Sequence, residues 1–206
     1  MAGTFDLHTI LALRHGWDNM TSTRFSSMFS GLPVSLVTSW YTTLKEKDIE
    51  VVSAFSPGES DFPTIVVKST EENVDQQFLG FWGQRGSDNV EHFQMLVQED
   101  VDIFIFTQSS ELTRSLYVVV RGIMMSAHRW LISECKYDSI EYRGGGDLDP
   151  EKDLFPEAPV FSKVQRWTST GVAGVQTVDI SSSIKPFVVS AEDIPVGSGN
   201  YGGVTG

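Results

Sequence analysis

Cysteine is almost absent. The chain of 206 residues holds one, Cys135, so no internal disulfide exists and packing with hydrogen bonding must hold the fold. That usage suits a reducing cytosol. Positive charge is also scarce: 15 Lys and Arg stand against 27 Asp and Glu, for a net charge of −12. The basic residues are scattered, with no run that could follow a phosphate backbone, which disfavours direct nucleic-acid binding. No run approaches the ~18 apolar residues needed to cross a bilayer, so no transmembrane helix and no membrane partner are expected. The N-terminus lacks a basic flank before an apolar core, so no signal peptide is expected. No internal repeat is present. What remains is one domain, with room for an appendage, long enough to bury roughly 70% of its unfolded surface.

The organising stretch runs from Val101 to Ile132. Val101-Asp102-Ile103-Phe104-Ile105-Phe106 is β-branched and aromatic with apolar residues on both faces, which predicts a strand buried on both sides. Ser109-Ser110 then offers an N-cap, and Glu111 places negative charge at the helix start. Leu112, Leu116, Val119, Val120, Ile123, Ala127 and Leu131 recur at intervals of three and four. They mark one face of a helix over about 110–133, roughly 36 Å long at 1.5 Å per residue. Val118-Val119-Val120 and Gly122 oppose helix on propensity. Burial of the stripe outweighs them.

A second helix is predicted over about 33–47, with Pro33 in its first turn, Leu36, Val37, Trp40 and Leu44 as the stripe, and Lys45 and Lys47 at its end. Trp40 reads as a core residue, with Tyr41 turned the other way. Strands are predicted for Ile49–Phe55, Pro63–Lys68, His92–Gln98, Lys136–Tyr142 and Val160–Val178. A continuous bent strand from Phe93 to Phe106 fits as well as two strands. Glu71–Gln77 reads as a solvated acidic loop and Arg143–Pro159 as a long glycine-rich acidic one. The fold class is α+β: a mostly antiparallel sheet with both helices packed on one face. Residues 1–32 read as an N-terminal arm or peripheral segment, 33–178 as the domain, and 179–206 as an extended tail.

The chemistry is thin. Gly144-Gly145-Gly146 lacks the Lys-Ser/Thr of a phosphate loop, and Asp147 would repel phosphate. His8, His15 and Asp18 match no metal-ligand spacing and read as solvated loop residues. No metal, cofactor or catalytic residue is assigned. Cys135 and His128 lie seven apart and could share a helix face as a thiolate–imidazole pair, but a buried structural cysteine is the commoner state. Phe78-Leu79-Gly80-Phe81-Trp82-Gly83 has two readings, a loop folded back on the sheet or an aromatic docking patch.

One ordered set of features runs through residues 33 to 178. Phe62-Pro63-Thr64-Ile65-Val66-Val67 is followed by an acidic stretch leading to Phe78-Leu79-Gly80. The strand Val101–Phe106 and the long helix come next. Gly145-Gly146-Asp147-Leu148-Asp149-Pro150 then leads to Phe155-Pro156-Glu157 and an aromatic strand around Phe161–Trp167. In this order the sequence resembles the tail-terminator, or tail-completion, proteins of long-tailed bacteriophages. The resemblance implies an α/β sandwich-like domain that assembles as a ring, usually of six copies. Such a ring sits in the virion neck after assembly in the host cytoplasm, caps the tail tube, ends its polymerisation and joins tail to head. Partners would be further copies of the chain, the tube protein, a head-completion or adaptor protein, and the sheath where the tail is contractile. DNA would pass through the ring without specific binding. Candidate inter-subunit or partner contacts are Phe81, Trp82, Leu148 and Phe155; Asp147, Asp149, Glu151 and Asp153 are candidates for an acidic loop facing the lumen. Another neck ring, a head-completion or adaptor protein, is the alternative. A small enzyme using Cys135 and His128 is a remote one.

Overall fold

The structure is a computed structural model and describes residues 4–53, 62–74, 91–148 and 160–177. It contains helices α1 (Phe5–Asp18), α2 (Ser22–Ser27), α3 (Val34–Glu46) and α4 (Ser110–Ser133). The strands are β1 (Glu50–Val52), β2 (Thr64–Val74), β3 (Glu91–Thr107), β4 (Tyr137–Leu148) and β5 (Phe161–Thr177). They form one five-stranded sheet in the order β1-β2-β3-β5-β4. Only the β1–β2 pair is parallel. The others are antiparallel, so the fold is α+β with a mixed, mostly antiparallel sheet.

β3 is the spine. It is one continuous strand paired with β5 from Glu91↔Thr177 to Thr107↔Phe161. Its odd-numbered residues Val101, Ile103 and Ile105 are buried beneath the helices, together with Val67 from β2 and Trp167 from β5. The opposite face differs from the expectation of a strand buried on both sides. Phe104 and Phe106 are half-buried there and stack at 6.4 Å, and no helix among the described residues lies on that face. Sheet alternation explains this: successive side chains take opposite faces, and the helices supply a layer for only one.

α4 crosses β3, β5 and β4 on the face that carries Val119, Val120, Ile123 and Leu131. The stripe read from the sequence is the buried one. The N-cap differs in detail. Ser109 occupies the cap position without a side-chain cap bond. Instead its N–H donates to the Thr107 hydroxyl at 3.1 Å, and that hydroxyl meets the Thr113 hydroxyl at 2.8 Å in the buried interior. An added Cβ at Gly122 would sit 2.8 Å from the Met28 methyl, which as the end of a flexible side chain can give way.

Residues 1–32 are not an arm. α1 lies on α4 and across β1, β2 and β3, and buries Phe5, Thr9, Leu13 and Trp17. The buried Glu99 on β3 accepts the Phe5 N–H at 2.8 Å, placing a carboxylate at the positive end of the α1 dipole. α2 buries Phe25, whose ring meets Phe29 at 5.0 Å and Tyr41 at 5.4 Å. The principal neighbours of α3 are α2 and α4. Trp40 and Tyr41 are both half-buried, holding Phe29 and Phe25, so neither ring points away. Lys45 in the last turn donates to the Trp17 carbonyl at 2.7 Å and sits 4.4 Å above the Trp17 ring.

Two loop assignments are corrected. β2 continues through Glu71 to Val74, because β3 is long enough to pair that far, after a register shift at Ser69/Glu71. The glycine-rich segment from Arg143 is strand as far as Leu148, paired with β5 as Gly145↔Gln165 and Asp147↔Lys163. Gly145 is needed for closeness: a Cβ there would lie 2.3 Å from both the Tyr117 hydroxyl and the Val164 carbonyl oxygen. No described helix is long and apolar enough to cross a membrane.

Candidate assembly surface

Of the residues singled out as candidate contacts, Leu148 ends β4 and is half-buried. Phe81, Trp82 and Phe155 lie outside the described residues, as do Asp149, Glu151 and Asp153. Asp147 is not a loop residue. It sits in β4 opposite Lys163 and forms an ion pair with it. That pairing holds the Asp147 carboxyl below the usual carboxylate range. Its charge is therefore matched locally.

The helical layer leaves apolar side chains on its outer side. Leu7 and Leu11, one turn apart on α1, are 52% and 55% exposed, and Met125 on α4 is 63% exposed. Trp130 on α4 is also exposed. Leu32, Val34 and Leu36 make a second apolar spot at the start of α3, Val34 being 75% exposed. Scattered apolar residues are normal on a surface, but these are gathered on a few helical turns.

Between α1, α2 and α4 the surface sinks into a groove of about 600 Å³. Its floor is Leu11, Ala12, Gly16, Ile123 and Ala127, with Trp130 at one side. Gly16 sets the depth. An added Cβ would come within 2.3 Å of Ile123 Cγ2, so α1 and α4 touch where they cross. The rim is polar: Arg24 from α2, and His15 and Asn19 at the end of α1. The Asn19 amide reaches the His15 ring at 3.3 Å and donates to the His15 carbonyl at 2.9 Å. The lining includes no carboxylate. Its physical character is an apolar trough with a basic edge, on a chain whose net charge is −12.

The helix-free face of the sheet carries a second cluster. Asp102 on β3 lies between Lys68 of β2 and Arg166 of β5 in register, and Arg166 Nε approaches Asp102 Oδ1 at 3.3 Å. Burial pushes the Asp102 carboxyl up, and the neighbouring guanidinium only partly offsets this. Arg143, Thr70 and Thr168 complete a polar hollow of about 340 Å³. Asp100 also lines it, and the one ion pair within the lining among the described residues is Arg166–Asp102, which reads as cross-strand support.

The residues weighed for chemistry fall apart in space. Cys135 lies beyond the last residue of α4, and burial together with Glu134 pushes its thiol up, away from a reactive thiolate. His128 is exposed on α4. His8 is not a solvated loop residue. It is half-buried on α1, its Nδ1 lies 2.8 Å from the Tyr137 hydroxyl, and desolvation pushes its pKa down. His15 and Asp18 are exposed at the far end of the same helix. Among the described residues no group of three His, Cys, Asp or Glu side chains could hold a metal ion.

The groove was not legible in the sequence, because one wall, α4, lies about a hundred residues along the chain from α1 and α2. The only local signal was Leu7 and Leu11 standing opposite the buried stripe of α1. No family model matches the chain, and no curated protein sequence matches it.

Proposed function

We propose that this chain is a structural neck protein of a long-tailed bacteriophage, a tail terminator that forms a ring on the end of the tail tube. The resemblance of residues 33–178 suggests the role. The observation that supports it best is the apolar outer face of α1 and α4, with Leu7, Leu11, Met125 and Trp130 in water in the lone chain. Burying side chains of this size is worth about 1.5–3 kcal/mol each, so a partner surface is favoured. The groove and the second apolar spot at Leu32, Val34 and Leu36 are different patches. Unlike patches meeting between identical copies make a heterologous, head-to-tail contact, and such contacts close into rings when the rotation allows. Six copies is the number the resemblance carries.

In this reading the ring stops tube growth and presents a surface to a head-completion or adaptor protein. Asp149, Glu151 and Asp153 line the lumen, where like charge lets DNA pass without adhering.

The test is native mass by light scattering after size exclusion, with electron micrographs of the same peak, followed by incubation with purified tail tubes free of heads. Annular particles that cap tube ends are the expected result. A chain that neither forms rings at high concentration nor binds tube ends refutes the proposal. Rings that bind heads and ignore tubes move the chain to another neck position.

A further inference from the structure

We propose that the groove between α1, α2 and α4 receives the segment 149–159 of a second copy of this chain. The proposal deepens the ring reading above and rests on the same self-association.

The first argument is chemical fit. The floor is apolar, from Leu11, Ile123, Ala127 and Trp130, and the rim bears Arg24 and His15 with no carboxylate. The segment reads Asp149-Pro150-Glu151-Lys152-Asp153-Leu154-Phe155-Pro156-Glu157-Ala158-Pro159. It offers two adjacent large apolar side chains flanked by four carboxylates and one lysine. Leu154 and Phe155 suit the trough, while Glu157 suits Arg24 and leaves Asp149, Glu151 and Asp153 to the lumen. The volume of about 600 Å³ lies in the range of sites that enclose groups of this bulk. Three prolines reduce the chain entropy that docking must overcome.

The second argument is reach. Leu148 and Ser162 are register partners, so the segment leaves and returns at one place. Half of its contour is about 18 Å at roughly 3.3 Å per residue. Its base lies beside the first turns of α4, where Asp147 feels the charge of Arg114 and Lys163 sits 5.4 Å from the Tyr117 ring. From Arg114 to Ile123, the groove residue nearest along the helix, is about 14 Å at 1.5 Å per residue. The groove opens on the α1 side of α4, whereas Tyr117 faces β4 through its bond to Tyr142. Crossing the helix adds about 10 Å. Together these exceed the half-contour, so a copy's own groove is out of range and the occupant comes from a second copy.

The test uses the full chain carrying Phe155→Asp, so that its own segment does not compete, and a fluorescein-labelled peptide of residues 148–160 followed by anisotropy at low salt. Saturable binding is expected. Leu11→Asp or Arg24→Glu in the protein should weaken it at least tenfold, with circular dichroism unchanged. A peptide carrying Glu157→Lys should bind the Arg24→Glu protein better than the Arg24 protein, a reversal that a nonspecific apolar contact cannot produce. No saturation at millimolar peptide, or binding indifferent to both groove variants, overturns the proposal. Phe155→Asp protein that still forms normal rings also overturns it and leaves the ring reading standing. Groove-dependent peptide capture by a chain that never forms rings supports this contact and removes the ring.

Discussion

Gly16 is the residue on which the α1–α4 contact turns, and replacing it with alanine gives a prediction whose sign depends on the background. In an ordinary helix interior Gly→Ala stabilises by about 1 kcal/mol. Here the new methyl would sit 2.3 Å from Ile123 Cγ2, where carbon atoms normally stay about 3.5–4.0 Å apart. Ile123 cannot swing away cheaply, because a β-branched side chain in a helix is confined to about one χ1 rotamer. α1 must move instead, and Leu13 and Trp17 move with it. Overpacking of this kind costs about 1–3 kcal/mol, and an overlap above 1 Å on a stiff atom belongs at the upper end. Gly16→Ala should therefore destabilise the wild-type chain by about 2 kcal/mol net, lowering Tm by roughly 4–8 °C for a chain of this size. With Ile123→Ala the obstacle is gone, and the same Gly16→Ala should stabilise by about 1 kcal/mol. The coupling in the four-member cycle is about 3 kcal/mol, well above the ~0.5 kcal/mol scatter of independent sites. Urea denaturation followed by circular dichroism, at one fixed protein concentration, measures all four members. Gly16→Ala that stabilises the wild type, or a coupling near zero, would refute the close crossing and with it the shape of the groove.

Three further outcomes follow from contacts elsewhere. Glu99→Ala leaves the Phe5 N–H without its carboxylate and should cost about 2–3 kcal/mol in urea denaturation; Glu99→Gln, which keeps an acceptor, should cost about 1 kcal/mol. Gly145→Ala would press a methyl onto the Val164 carbonyl and onto the Tyr117 hydroxyl, whose pKa is pushed up to about 12 by burial and by the Tyr142 hydroxyl. Its cost should be about 2 kcal/mol or more, with a fall in the tyrosine titration seen by ultraviolet absorbance. Asp102 has a raised carboxyl pKa, so the folded chain binds this proton more tightly than the unfolded chain, and its contribution to stability falls as pH rises from the ordinary carboxylate range through the raised value. Asp102→Asn should remove that slope and Arg166→Gln should steepen it; equal slopes in all three proteins would show that Asp102 is not desolvated in the folded state.

The parts of the fold visible in the sequence are those where one pattern dominated. α4 shows its stripe so regularly that three consecutive valines and Gly122 did not mask it. β3 and β5 announce themselves through β-branched and aromatic content. α1 was hidden although Phe5, Thr9, Leu13 and Trp17 recur every four residues, because Thr9 is polar and Leu7 and Leu11 fill the opposite face. A helix apolar on both sides loses the contrast on which periodicity depends. The end of β4 was hidden for another reason. Three glycines in a row read as a turn, whereas Gly145 is small because Val164 and Tyr117 crowd it, a fact of tertiary contact. The groove combines both difficulties, being made of a misread helix and of neighbours distant in sequence.

The strand order has a consequence for how the chain must be made. β5, the last described strand, is inserted between β3 and β4, so an interior strand is the last of the described strands to be synthesised. Until residues 161–177 have emerged, β3 has only β2 beside it and β4 has no strand to pair with. Folding of this sheet is tied to long-range pairing, which is slow and leaves edges exposed meanwhile. A nonsense mutation just before Phe161 would not merely trim the molecule. It would remove the strand that joins β4 to the rest of the sheet, and the product would be expected in inclusion bodies.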